Sequence, residues 1–328
     1  MALASENLKN HVKLFLKNIG QSFFLNNAYF GAIFLLLLMY FDYHLFIYGL
    51  LGSLIAYAYT LRSSTQVILK DSGVITINGF FFGIAMASFF QESPVFLFSF
   101  LLGAALMPLV VKATFEVLQH WRMSPLIIPY ILVVWLICLC GHGPGMELNP
   151  SSAWPNSIHH LASSHLEGEI ASRIFQAVCL SMSRVLFVSN MNFGFAIFAL
   201  ITLFSPRRGF YFLSGTLLAT LVSYALSADS AIWEHGYFSY SAGLIGLGLA
   251  SFPENFSWQT IFGFCMFSSF LTIASEHYLD SQGLPTLSLP YVITFWLAQL
   301  GRTPRVSLSW APKKLIVQGS KKTEEKVA

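Results

Sequence analysis

Gly20-Gln21-Ser22-Phe23-Phe24-Leu25-Asn26-Asn27, pressed against an apolar run that begins at Tyr29, is written twice in this chain. The same shape returns as Ser183-Arg184-Val185-Leu186-Phe187-Val188-Ser189-Asn190, with Arg184 standing 163 positions after Gln21. The offset persists outward: Phe30 maps to Phe193, Gly31 to Gly194, Gly52 to Gly215, Gly73 to Gly236 and Gly83 to Gly246. After two residues of slippage, Pro129-Tyr130 maps to Pro290-Tyr291 and Trp135-Leu136 to Trp296-Leu297. Self-similarity at a fixed offset means one structural unit used twice.

Composition says where that unit lives. The chain is 55% hydrophobic and only 10% charged, whereas a soluble domain carries about 25% charged residues. So little charge does not cover a water-facing surface, but it suits a lipid-facing one, where helices satisfy their own backbone. The net charge of +3 is too small and dispersed to suggest nucleic acid. Cys138, Cys140, Cys179 and Cys265 all sit in apolar segments without thiol pairs at metal spacing, and read as buried small hydrophobes.

Five apolar runs can be drawn in each half, near 29–49, 49–61, 74–90, 94–112 and 126–140, then 192–204, 209–226, 237–252, 258–275 and 289–300. Five is odd, so the second unit enters the membrane from the opposite side. The predicted fold is therefore an all-α membrane protein, an inverted repeat of two five-helix units. Residues 1–140 form the first repeat with an N-terminal amphipathic arm, 141–172 an external linker, 173–304 the second repeat and 305–328 a cytoplasmic tail. The arm carries Lys9, Lys13 and Lys17 and suits a cytoplasmic membrane surface. The tail is basic and the linker has no Lys or Arg, which sets both termini inside and the linker outside. Arg62, Lys70, Lys112, Arg122, Arg207 and Arg208 fall on the cytoplasmic side of this count. The linker histidines His142, His159, His160 and His165 lack a partner set at metal spacing, so no metal and no cofactor are expected.

No nucleophile–base pair, phosphate loop or paired carboxylate stands out, so an enzyme is not expected. Asp42, His44, Glu92, Glu116, His120, Asp229, Glu276, His277 and Asp280 fall at the ends of apolar runs and read as interfacial caps. Polar groups at membrane depth are the better lead, because they are costly there and line paths. They come as mates: Gln21 with Arg184, Ile77-Asn78-Gly79 with Tyr240-Ser241-Ala242, and Ser124-Pro125-Leu126-Ile127-Ile128-Pro129-Tyr130 with Pro285-Thr286-Leu287-Ser288-Leu289-Pro290-Tyr291. Paired prolines break each segment, and broken backbone at membrane depth belongs in packed protein or beside a wet cavity.

These residues resemble the urea transporter family. Gly-Gln-x-x-Phe-x-Asn-Asn, an aromatic-Asn-Gly turn and Leu-Pro-x-x-Thr-x-Pro-Phe are each traceable in both halves, over roughly 18–140 and 181–300. The resemblance implies a homotrimer in the lipid bilayer whose protomers have ten spanning helices, two re-entrant ones and a pore of their own. It implies passive passage of urea or a similar small neutral amide between aromatic rings and a ladder of oxygens. Carried over by position, Gln21, Phe24, Ile77, Phe81 and Ile127 are the first-half pore residues. Arg184, Val185, Phe187, Tyr240, Leu244 and Ser288 are those of the second. Phe24 and Phe187 are expected to face each other across the path.

Three positions depart from the pattern. Arg184 stands where the family has an acid, Ile127 replaces a threonine, and Ser241-Ala242 replaces Asn-Gly. Arginine has five donors and no acceptor. Two alternatives follow, a channel of changed selectivity that admits a small anion, and a non-conducting scaffold. The cost of a buried charge further predicts that Arg184 lies at the external mouth, reached by Glu147 or Glu167, away from Ser288.

Overall fold

The computed structural model describes residues 2–62, 73–121, 123–140, 146–149, 166, 168–226, 231–252 and 256–301. The linker histidines, Lys70, Arg122, Asp229, Glu167 and the basic tail beyond Gly301 lie outside them. Among the described residues the chain is helical, with one isolated bridge, Phe90 to Leu148, and no named strand. The first half holds α1 (Ala2–Gly20), α2 (Ala28–Phe41), α3 (Tyr43–Arg62), α4 (Val74–Phe89), α5 (Pro94–Leu118) and α6 (Ile128–Cys140). The second holds α7 (Ile170–Arg184), α8 (Met191–Phe204), α9 (Pro206–Leu226), α10 (Tyr240–Ala250), α11 (Trp258–Ser281) and α12 (Leu289–Leu300).

Four helices are long and apolar enough to cross a membrane: α3, α5 extended to Trp121, α9 and α11. They are two mate pairs. A fifth crossing arises if Leu8–Phe23 and Ala28–Phe41, bent by 73° at their junction, count together. Every residue of α10 is buried, as is all of α4 except Val74 and Ser88. A helix that is apolar on all sides must be enclosed, and these two form the centre of their halves.

The duplicated stretch is a turn, and the structure explains its residue types. Phe24 and Phe187 both take left-handed backbone, φ 59° and 61°, a conformation that non-glycine residues adopt only under tertiary constraint. Asn27 then caps α2 by accepting from Tyr29 and Phe30 N–H at 2.8 and 3.2 Å. Its mate Asn190 caps α8 through Phe193 N–H at 3.2 Å. Asparagine is favoured there because its side-chain oxygen satisfies orphan donors of the first turn. One helical turn after the cap, Gly31 presses on α1 so closely that a Cβ would stand 2.0 Å from the Leu16 carbonyl. At Gly194 it would stand 1.8 Å from the Cys179 carbonyl.

The halves exchange equivalent hydrogen bonds. Trp135 Nε1–H donates to the Pro285 carbonyl at 2.7 Å, and its mate Trp296 donates to the Ser124 carbonyl at 2.8 Å. Reciprocal contacts between mates are the mark of a two-fold relation.

Three expectations need correction. The first two apolar runs divide at Asp42, not at position 49, because the Asp42 carboxylate caps α3 through Leu45 N–H at 2.9 Å. The N-terminal arm is not confined to a surface. Phe15, Asn18, Ile19 and Gly20 are buried, and Asn18 donates to the Thr76 hydroxyl at 3.3 Å. Its helix is the mate of α7, and each half contributes six helices, the number that ten spanning and two re-entrant ones require. Finally, Cys138, Cys179 and Cys265 are buried but Cys140 is exposed. Residues two apart on a helix point about 200° apart, so only one of the Cys-x-Cys pair faces inward.

Candidate functional site

Two cavities among the described residues gather the singled-out positions, and the larger has a volume of about 360 Å³. It brings together Gln21, Phe24, Ile77, Phe81, Ile127 and Leu244, six of the residues singled out from sequence. The smaller, about 60 Å³, brings together Arg184, Phe187, Tyr240 and Ser288. Val185 lines neither and is buried in the core.

The two linings correspond through the repeat. Gln21, Phe24, Ile77 and Ile127 in one answer to Arg184, Phe187, Tyr240 and Ser288 in the other. Ser251 and Phe252 from the second half complete the larger cavity, and their mates Ser88 and Phe89 complete the smaller. The two cavities are thus lined from equivalent positions of the repeat. This corrects the expectation that Phe24 and Phe187 oppose each other, because the two rings line different cavities. Phe24 stacks on Phe295 with centroids 5.8 Å apart, while Phe187 meets the edge of Phe89 at 5.2 Å.

Tyr130 stands between them. Its ring stacks on Phe81 of the larger cavity at 5.5 Å, and its hydroxyl donates to Ser288 of the smaller at 3.3 Å. Behind it, the two proline-broken segments turn through left-handed Leu126 and Leu287, φ 49° and 50°. That geometry leaves backbone groups needing partners. In the first half Asn78 supplies them: its Nδ2 donates to the Leu126 carbonyl at 2.8 Å, and its Oδ1 accepts from Tyr130 N–H at 3.0 Å. Its mate Ser241 is too short, and the Ser241 hydroxyl is buried without a hydrogen-bond partner. The neighbouring Tyr240 hydroxyl donates to the Leu287 carbonyl instead. The carbonyl left without an Asn donor is therefore satisfied from one residue earlier.

Arg184 is not set apart from Ser288; the two line one cavity. Its guanidinium lies 4.1 Å over the Tyr237 ring, and Nε–H donates to the His235 carbonyl at 3.2 Å. A cation over an aromatic face is stabilised electrostatically. Of the two linker acids expected to reach it, Glu167 lies outside the described residues and Glu147 is placed elsewhere. The backbone of Glu147 is fixed beside Gln91 at the α4–α5 turn, 2.9 Å away, and Glu147 lines neither cavity. The acid in the cavity is Glu276, read from sequence as an interfacial cap but only 9% exposed. Glu276 ends an apolar run, and α11 continues past it to Ser281, which carries the carboxyl into the protein.

Arg208 is a second residue the sequence did not assign. It lines the larger cavity, and its Nη1 donates to the Phe24 carbonyl at 2.9 Å, across the two halves. Its repeat mate is Leu45, so no pairing signalled it. Among the described residues no group of three metal-ligating side chains occurs.

A model of the urea transporter family matches residues 12–303, nearly the whole chain and both copies of the turn. With the two cavities, the caps and the broken segments all falling inside that match, the chain belongs to the urea transporter family, an all-helical membrane transport family.

Proposed function

We propose that this protein is a passive channel for urea or a close small neutral amide, conducting along the axis between its two repeats. The observation that carries this reading is the pair of cavities lined by repeat mates, joined by Tyr130, which stacks on Phe81 of one and donates to Ser288 of the other. Phe24, Phe81 and Phe295 supply flat apolar walls to the larger cavity and Gln21 an amide. Flat walls with few polar atoms suit a flat solute that must shed and regain water. An acid as well as a base faces the smaller cavity, which favours a neutral solute over a small anion.

The reading includes an inverted repeat in the membrane: ten spanning helices, with the enclosed α4 and α10 as the two re-entrant ones. The protomer assembles as a homotrimer in a bacterial inner membrane, with the linker outside and both termini in the cytoplasm. Counting α1 and α7 as spans reverses the sides assigned to Arg62 and to Arg207 and Arg208, so the charge argument rests on the termini and the linker.

Flux in proteoliposomes tests the function. Urea efflux above protein-free vesicles is expected, without anion current. Anion current without urea flux would replace this reading with altered selectivity, and neither signal would leave a non-conducting scaffold. In a protein lacking native cysteines, Ser157→Cys should label from outside and Ser320→Cys should not; the reverse pattern removes the inverted repeat.

A further inference from the structure

Arg184 and Glu276 face the same small cavity from different helices, α7 and α11. Among the described residues they form no ion pair within 4.0 Å. Both sit in helices of a membrane protein, where charged side chains are expensive and mark solute paths. An acid and a base free to collapse together would normally satisfy each other there. Here they do not, and Arg184 is held by other groups. Arg184 is fixed by Tyr237 beneath its guanidinium and by the His235 carbonyl at Nε. That uses one of its five N–H donors and leaves the two terminal nitrogens without a hydrogen-bond partner. Glu276 is 9% exposed and lines the cavity beside Thr286 and Tyr240, with Asp280 one turn further along α11.

The geometry points to a bridging subsite: a small amide sits between the two side chains, its carbonyl accepting from the Arg184 guanidinium and its N–H groups donating to the Glu276 carboxyl. This deepens the proposed function and rests on it. A cavity of about 60 Å³ holds only a few water-sized bodies, which fits one flat amide of a few heavy atoms. Ser288 and the Tyr240 ring close the sides. The solute class is defined by needing both an acceptor and a donor at opposite ends. Acetone has only the acceptor, and guanidinium only donors and a charge that Arg184 repels. Glu276 would therefore be a specificity-determining residue for passage, supplying the acceptor that position 184 does not have.

Infrared difference spectra of the full-length protein in lipid, with and without urea, test the subsite independently of transport. A shift of a carboxyl band is expected, and Glu276→Gln should abolish that band. In proteoliposomes Glu276→Leu should reduce urea flux about tenfold, the loss of one hydrogen bond to a solute. Glu276→Gln, which keeps an acceptor oxygen, should retain most of the flux. Thermal unfolding in detergent identifies which variants are folded. Absence of the band shift in the wild type, or unchanged urea flux in folded Glu276→Leu, would overturn the subsite. A band shift in a wild-type protein without urea flux would instead break the channel reading and leave the subsite standing.

Discussion

The two cavities share a backbone and several identical lining mates, Phe24 with Phe187 and Phe252 with Phe89 among them, yet differ in size and polarity. One is about 360 Å³ and the other about 60 Å³, although their walls come from equivalent positions. At the three pairs that differ most, Gln21 against Arg184, Ile77 against Tyr240 and Ile127 against Ser288, the second half carries the charge and the hydroxyls. Arg184, Tyr237, Tyr240 and Glu276 fill space that Gln21 and Ile77 leave open. The left-handed turns at Phe24 and Phe187 agree to within a few degrees all the same. A duplicated membrane fold is therefore specified by backbone contacts, the glycine approaches and the asparagine caps, and the pore lining can drift without moving it.

The largest test of that statement compares the two ways of satisfying the broken segments. Asn78→Leu strands the Leu126 carbonyl and the Tyr130 N–H, two buried groups, and should destabilise the protein by about 3 kcal/mol. Tyr240→Phe removes one donor from the Leu287 carbonyl and should cost about 1 kcal/mol. Denaturant or thermal midpoints in detergent would show the difference, and equal losses would mean the halves do not use separate solutions.

Next in size are the backbone approaches. Gly31→Ala and Gly194→Ala each place a methyl within 2.0 Å of a helix carbonyl. Each should lose about 2 kcal/mol through the shift that overpacking forces. The two losses should match if the repeat is carried by backbone packing. A tolerant Gly194 beside an intolerant Gly31 would break the equivalence.

Phe24→Ala and Phe187→Ala remove rings that face cavities and are only partly buried. Each should cost less than the about 3–5 kcal/mol of a core phenylalanine. Phe24→Ala, in the roomier cavity, should raise acetamide flux relative to urea, and Phe187→Ala should change that ratio less because Arg184 and Tyr237 still narrow the passage. A larger change for Phe187 would put the limiting constriction in the second half.

The smallest effect lies outside the membrane. At the α4–α5 turn the Glu92 carboxylate accepts from the Tyr48 hydroxyl and bonds His44, both at 2.9 Å. The Tyr48 bond first and the His44 bond second hold Glu92 below the usual carboxylate range. Its folded value is lowered, so its contribution is present above the ordinary carboxylate value and lost as pH falls through the folded one. The group is more than half exposed, so solvent screening keeps the contribution under about 1 kcal/mol. The second half has Arg207 over Tyr211 at 6.0 Å in the equivalent place, which does not titrate in acid. Glu92→Gln should flatten the acid limb of the stability profile, and an unchanged limb would assign it elsewhere.

The sequence by itself determined the repeat, its offset and the helical class, and ten of the eleven positions it singled out line one of the two cavities. Those features are local or periodic: apolar runs long enough for helices, paired prolines, and asparagines at helix starts recur wherever they are written. Cys138 and Cys140 mark the limit of such reading, since spacing along a run does not say which face is inward until a neighbour packs there. Only the tertiary structure decided which positions share a cavity. It separated Phe24 from Phe187, joined Arg184 to Ser288, and brought Arg208 against the carbonyl of Phe24, 184 residues away. It also moved Glu276 from the end of an apolar run into the small cavity. Helix packing sends repeat mates to different cavities and brings positions unpaired in the repeat together in each. Neither relation leaves a mark on the spacing of residues along the chain.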